Sequence, residues 1–123
     1  MKTYFPDGRL ARVMHMMHGE LHGEFTSNYN NGLRCDYQQY KTGSGHGLHL
    51  EYYPDGKPKI ETSYLNGEEH GIQKKYSPEG KLLSVLTYQC GVLHGPAQFY
   101  DDQGRMTRKA IFANDMIVYE EKL

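Results

Sequence analysis

Apolar and aromatic side chains fall in short segments along this chain, separated by polar stretches that carry glycine. Segments such as Leu48-His49-Leu50-Glu51-Tyr52 and Lys81-Leu82-Leu83-Ser84-Val85-Leu86-Thr87-Tyr88 have the length and the aromatic and branched content of strands. No stretch keeps an apolar period of 3.6 long enough for a helix. The segment from Glu20 to Ser27 has no helical caps and carries Gly23. Between the strands, Pro6-Asp7-Gly8, Pro54-Asp55-Gly56 and Pro78-Glu79-Gly80 place proline early and glycine where a turn needs positive φ. Asn31-Gly32 and Asn66-Gly67 read as hairpin turns.

These signals recur at a fixed step of 24 residues. The pair His-Gly stands at His22-Gly23, His46-Gly47, His70-Gly71 and His94-Gly95. A second series runs Gly8, Gly32, Gly56, Gly80 and Gly104, and a third Gly19, Gly43, Gly67 and Gly91. Three glycine series in one register mark a tandem-repeat architecture. Cut at the first residue of the Gly8 series, the repeats are 8–31, 32–55, 56–79, 80–103 and a partial 104–123, with 1–7 the tail of a preceding unit. Aromatic positions keep the register: Tyr40, Tyr64, Tyr88 and Phe112 in one series, Tyr4, Tyr52, Tyr76 and Tyr100 in another. The series lie 12 residues apart, so each repeat reads as two strand-plus-turn halves. In this reading Gly8, Gly32, Gly56, Gly80 and Gly104 punctuate one turn of each hairpin, and Gly23, Gly47, Gly71 and Gly95 punctuate the other. The predicted fold is all-β: one domain over 1–123, an elongated single-layer antiparallel sheet of 24-residue hairpins, held by contacts between neighbouring repeats.

Composition sharpens this picture. Hydrophobic residues make up only 37% of the chain, and mean hydropathy is −0.78. That is little for a thick core, while 12% aromatic residues, eleven of them tyrosine, suit a half-buried sheet. A formal charge of −1 supplies no basic field for nucleic acid. The first residues contain no long apolar run, so a cytoplasmic protein is expected. Cys35 and Cys90 occupy different places in repeats two apart, which disfavours a disulfide and suits a reducing compartment.

The unit Tyr52-Tyr53-Pro54-Asp55-Gly56-Lys57, followed by Tyr64-Leu65-Asn66-Gly67-Glu68-Glu69-His70-Gly71, resembles the MORN-repeat variant of bacterial YwqK-like proteins. It recurs as Tyr76-Ser77-Pro78-Glu79-Gly80-Lys81 with Tyr88-Gln89-Cys90-Gly91-Val92-Leu93-His94-Gly95. The resemblance implies a gently twisted single-layer sheet with a concave face. It also implies an antitoxin or immunity-like role, with scaffolds and membrane-associated modules as the other known uses of such repeats. The repeat has no catalytic residues to carry over.

Candidate chemistry is sparse. Successive repeats lie two strands apart, roughly 10 Å at about 4.8 Å per strand, too far for the repeat histidines to share a metal ion. No metal, cofactor or catalytic centre is expected: Gly-x-Ser-x-Gly, CxxC, HExxH and P-loop patterns do not occur. Tyrosine gives large contact area at low entropy cost, so Tyr40, Tyr64 and Tyr88, or Tyr52, Tyr76 and Tyr100, are the candidate partner-binding residues. The expected partner is a protein, a cognate toxin in the sharper reading. Membrane docking is the alternative. Repeat 5 lacks the signature, with Asp115 where glycine recurs and Val118-Tyr119 where His-Gly recurs. That edge either caps the stack or pairs with a second copy as a homodimer.

Overall fold

The computed structural model describes residues 1–123. Fourteen strands follow one another with no helix: β1 (Lys2–Tyr4), β2 (Leu10–Val13), β3 (Met16–Met17), β4 (Glu20–Leu21), β5 (Gly23–Asn28), β6 (Arg34–Lys41), β7 (Ser44–Tyr52), β8 (Pro58–Leu65), β9 (Glu68–Tyr76), β10 (Leu82–Gln89), β11 (Val92–Leu93), β12 (Gly95–Tyr100), β13 (Met106–Ala113) and β14 (Met116–Lys122). Twelve form one antiparallel sheet in chain order, with β11 beside β10; β3 and β4 pair separately. The sheet is a continuous meander of hairpins, as the 24-residue step predicts.

Two turn types alternate. Tight turns at Thr42-Gly43, Asn66-Gly67 and Cys90-Gly91 have positive φ at both residues, as a two-residue type I′ hairpin requires. His18-Gly19 and Asn114-Asp115 complete this series. Asp115, at φ 69°, takes the conformation glycine holds in the other repeats. The wider turns are five-residue loops. The Gly56 amide donates to the Tyr53 carbonyl, and the Tyr53 amide to the Lys57 carbonyl, so a type I turn is closed by a left-handed glycine. Gly8, Gly32, Gly80 and Gly104 do the same. Asn31-Gly32 therefore belongs to the wide series and is not a type I′ pair. Asn31 instead uses its side chain, accepting from the Leu33 amide and donating to the Pro54 carbonyl of the next repeat at 2.8 Å.

The His-Gly pairs are not turns, which corrects the expectation for Gly23, Gly47, Gly71 and Gly95. Gly47 and Gly71 lie inside β7 and β9; Gly23 and Gly95 open β5 and β12. All four have positive φ, and the register slips beside them. Gln38 faces His49 and Tyr40 faces Gly45, so three residues of β7 stand against one of β6. The same slip separates Thr62↔Gln73 from Tyr64↔Glu69. Each His-Gly is thus a bulge that bends its strand.

Only five residues are buried: Ala97, Ala110, Gln38, Thr62 and Ser84. A single layer has no central core. Cross-strand pairing puts four of these on one row: Phe25↔Gln38, Gln38↔His49, His49↔Thr62, Thr62↔Gln73, Gln73↔Leu86 and Ala97↔Ala110. Strand alternation adds Tyr40, Tyr64, Tyr88 and Phe112 to the same side, two residues from the row. We call this side the ladder face. The opposite side carries Leu48↔Ser63, Ile72↔Thr87, Pro96↔Ile111 and Ile111↔Tyr119.

Candidate partner-binding surface

The two tyrosine series lie on opposite faces. Tyr40, Tyr64 and Tyr88 share the ladder face, all half-buried. Burial pushes the Tyr64 hydroxyl pKa up, helped by the charges of Glu69 and Glu51, and the Tyr88 hydroxyl moves the same way through burial and Glu69. Tyr40 packs edge-on against Phe25, ring centroids 6.3 Å apart, and Tyr64 lies 5.8 Å from His49. Each ring stands opposite a bulge glycine: Gly23↔Tyr40, Gly47↔Tyr64, Gly71↔Tyr88 and Gly95↔Phe112. A Cβ on Gly47, Gly71 or Gly95 would meet Gln39, Ser63 or Thr87 on the opposite face, so the ring and the absent side chain lie on different sides of the sheet; on the ladder face it is a Cβ on Gly45 that would meet the Tyr64 ring, at 3.5 Å. This series packs the fold.

Tyr52, Tyr76 and Tyr100 point to the other face. Tyr100 donates to Gln98 at 3.2 Å, and Tyr76 sits by Glu61, whose charge, after burial, raises its hydroxyl pKa. Tyr52 follows Glu51, which faces Asp36 on the ladder side, so alternation turns it away. All three are half-buried beside the wide turns, so neither series is a row of freely exposed rings.

The repeat histidines and two further tyrosines tie one repeat to the next. The Nδ1 atoms of His22, His70 and His94 accept from the backbone amides of Thr42, Cys90 and Asn114 at 3.2, 3.3 and 3.4 Å. Each bond pins the first residue of the following tight turn. Tyr53 Oη donates to the Tyr76 carbonyl at 2.8 Å, and Tyr29 Oη to the Tyr52 carbonyl. Tyr29 and Tyr53 keep the 24-residue step, so the signal that found the other tyrosines also marks them.

What stands free is an apolar stripe on the face opposite the ladder. Leu48 is 47% exposed, Ile72 50%, Ile111 45% and Tyr119 52%, with Pro96 exposed between them. Leu48, Ile72 and Pro96 keep the 24-residue step. At the end of the sheet, Pro96, Ile111 and Tyr119 border a shallow cavity of about 180 Å³. β14 carries the stripe on at Tyr119; its seven residues are all exposed, Ile117 facing Phe112 on the ladder side. Large exposed apolar side chains gathered on one face, here with Ser63 and Thr87 between them, mark an interaction surface.

Residues 45–66 and 69–89 each match the MORN repeat variant. The matched MORN-variant segments span β7 to β10, the part of the sheet with the most regular bulges and tight turns. No curated protein matches the chain. Among solved structures it is similar to TarM, at 12% identity and a TM-score of 0.51. It is also similar to a mutant of S. aureus TarM in complex with fondaparinux, alpha-GlcNAc-glycerol and UDP, at 11% identity and a TM-score of 0.52. Either alignment covers 90% of this chain and 21% of TarM, so the chain spans about a fifth of that protein's length. At this identity the likeness is one of fold alone.

Proposed function

We propose that this chain is a non-enzymatic protein-binding module, and that it acts as an antitoxin or immunity-like protein in the cytoplasm, neutralising a toxin by direct contact. The observation behind the reading is the exposed stripe through Leu48, Ile72, Pro96, Ile111 and Tyr119 on the side of the sheet that the tyrosine ladder does not need. A standard interface covers about 800 Å² per partner. Eleven strands in sequence, at about 4.8 Å each, give a sheet roughly 50 Å across, ample for such a contact. Stripe side chains already stand exposed, so a partner covers them without unpacking the fold.

The test is co-expression with a neighbouring toxin-like reading frame, followed by pull-down. Protection and co-purification should both be lost in Leu48→Glu/Ile72→Glu while the isolated variant still unfolds cooperatively. Full protection by that variant would remove the stripe from the reading.

A second reading, a scaffold that oligomerises, is favoured by β14. Its four apolar residues Met116 to Tyr119 lie exposed on the outermost strand of the sheet, where the backbone groups of an edge strand seek another strand. Light scattering separates the two readings: a monomer at high concentration sinks the scaffold, and a dimer that survives the stripe substitutions supports it.

A further inference from the structure

The stripe face repeats one geometry at every junction between neighbouring repeats, so equivalent positions can be compared within a single chain. At the junction of repeats 1 and 2 three of these positions hold Glu24, Gln39 and Lys41. The next junction holds Leu48, Ser63 and Leu65, the third Ile72, Thr87 and Gln89, the fourth Pro96, Ile111 and Ala113. Only the first carries charge, and it carries both signs. Neither Glu24 nor Lys41 is spent on an ion pair.

The same junction holds the most voluminous hollow of the molecule, about 460 Å³ and wide open to solvent, bordered by these three residues together with His22, His46 and their neighbours. That volume lies in the range of small-molecule sites. The two imidazoles are not equivalent. His22 Nδ1 accepts from the Thr42 amide, which fixes its proton on Nε2 and makes Nε2–H a donor. His46 alone among the four repeat histidines has a buried Nδ1 with no hydrogen-bond partner. That atom is closed to solvent, so His46 borders the hollow without offering it this nitrogen.

We propose that this junction is a binding site for a small zwitterion of the α-amino-acid class. Lys41 Nζ and His22 Nε2–H take the carboxylate, and Glu24 takes the ammonium. Opposite charges on one small ligand answer the two unpaired charges that this junction has and the other three lack. The site adjoins the near end of the stripe, Gln39 Oε1 accepting from the Leu48 amide at 3.1 Å, but it uses none of the stripe side chains, so its test leaves them intact and is read apart from the partner-binding reading.

Imidazole resonances followed by NMR at constant pH test it, with L-alanine as ligand and acetate and ethylammonium as its two halves. L-Alanine should shift His22 and His46 saturably and leave His70 and His94 unmoved. Either half alone should bind about tenfold more weakly or worse, the loss expected when a hydrogen bond to a charged group goes. Lys41→Met and Glu24→Gln should weaken L-alanine by a similar factor while the urea midpoint stays unchanged. Absence of a saturable shift with L-alanine overturns the site. So does acetate binding as tightly as L-alanine, or full affinity in Lys41→Met.

Discussion

On one side of the sheet Gln38, Thr62 and Ser84 are buried beside the rings of Tyr40, Tyr64 and Tyr88; on the other, Leu48 and Ile72 stand about half exposed. Polar groups are covered and apolar groups are open, the reverse of what burial alone would arrange. The ladder face explains its half. Gln73 donates to Thr62 Oγ1 at 3.1 Å, Gln38 to the Gln39 carbonyl at 3.0 Å, and His49 pairs with Asp36 at 2.7 Å. The Gln38 and Gln73 amide nitrogens and the Thr62 hydroxyl find partners there, Gln73 Oε1 does not, and the Tyr64 ring packs over Gly45. No such internal logic requires Leu48 or Ile72 to be apolar. A thin sheet thus assigns folding to one side and leaves the other to be chosen for contact.

Substitutions break or sharpen this contrast by different amounts. The largest single-residue loss is expected at the strand bulges. A Cβ on Gly95 would meet Thr87 at 3.2 Å, with φ at 114°. Gly95→Ala should cost about 1–3 kcal/mol by urea unfolding. Gly104→Ala, in a wide turn with open space around it, should cost about 1 kcal/mol from its φ alone. Equal losses would mean that the close approach of Thr87 adds nothing to the cost of positive φ at the bulge.

The histidine pins come next. Removing the bond to the Cys90 amide in His70→Ala should cost about 1 kcal/mol, and His46→Ala, whose Nδ1 holds no bond, should cost less. Equal losses would show that packing of the imidazole matters and the pin does not. A gain of about 0.5 kcal/mol is expected for Thr42→Asn. Thr42 holds φ at 47° in a tight turn, where asparagine is tolerated and a branched side chain is not.

The smallest effect is a pH dependence on the ladder face. The hydrogen bond that His49 donates to the Asp36 carboxylate raises the His49 pKa above its ordinary value of 6.5, burial opposing it and the Asp36 charge adding to it. The protonated imidazole is therefore favoured in the folded chain. Its contribution is complete below about 6.5 and fades as pH rises through the raised native value. Urea midpoints taken across that interval should fall for the native chain relative to Asp36→Asn. Parallel profiles would mean that the pair is fully screened.

Strand length, the repeat frame and the single layer were legible because all three follow from spacing and composition. Glycine identity was legible too, but not its role. Gly47 and Gly56 both have positive φ, near 92° and 93°, and only the flanking hydrogen bonds decide whether the chain reverses or merely bends. Asn31-Gly32 shows the same limit, since a wide-turn glycine preceded by asparagine looks like a tight turn. The faces were obscured for a related reason. Tyr52 and Tyr64 are an even 12 residues apart, which strict alternation would put on one side. The extra residue at the wide-turn bulge between Glu51 and Tyr52 and their partners breaks that parity. The stripe escaped notice because Leu48 and Ile72 look like core residues until burial is known.

Urea unfolding of two double variants, side by side, tests the division of labour most directly. Tyr64→Ala/Tyr88→Ala on the ladder face should lose about 3 kcal/mol or more, or its cooperative transition. Leu48→Ser/Ile72→Ser on the stripe face should stay within about 1 kcal/mol of the native chain, as surface positions do. Equal losses in the two variants would contradict the assignment of folding to one face and contact to the other.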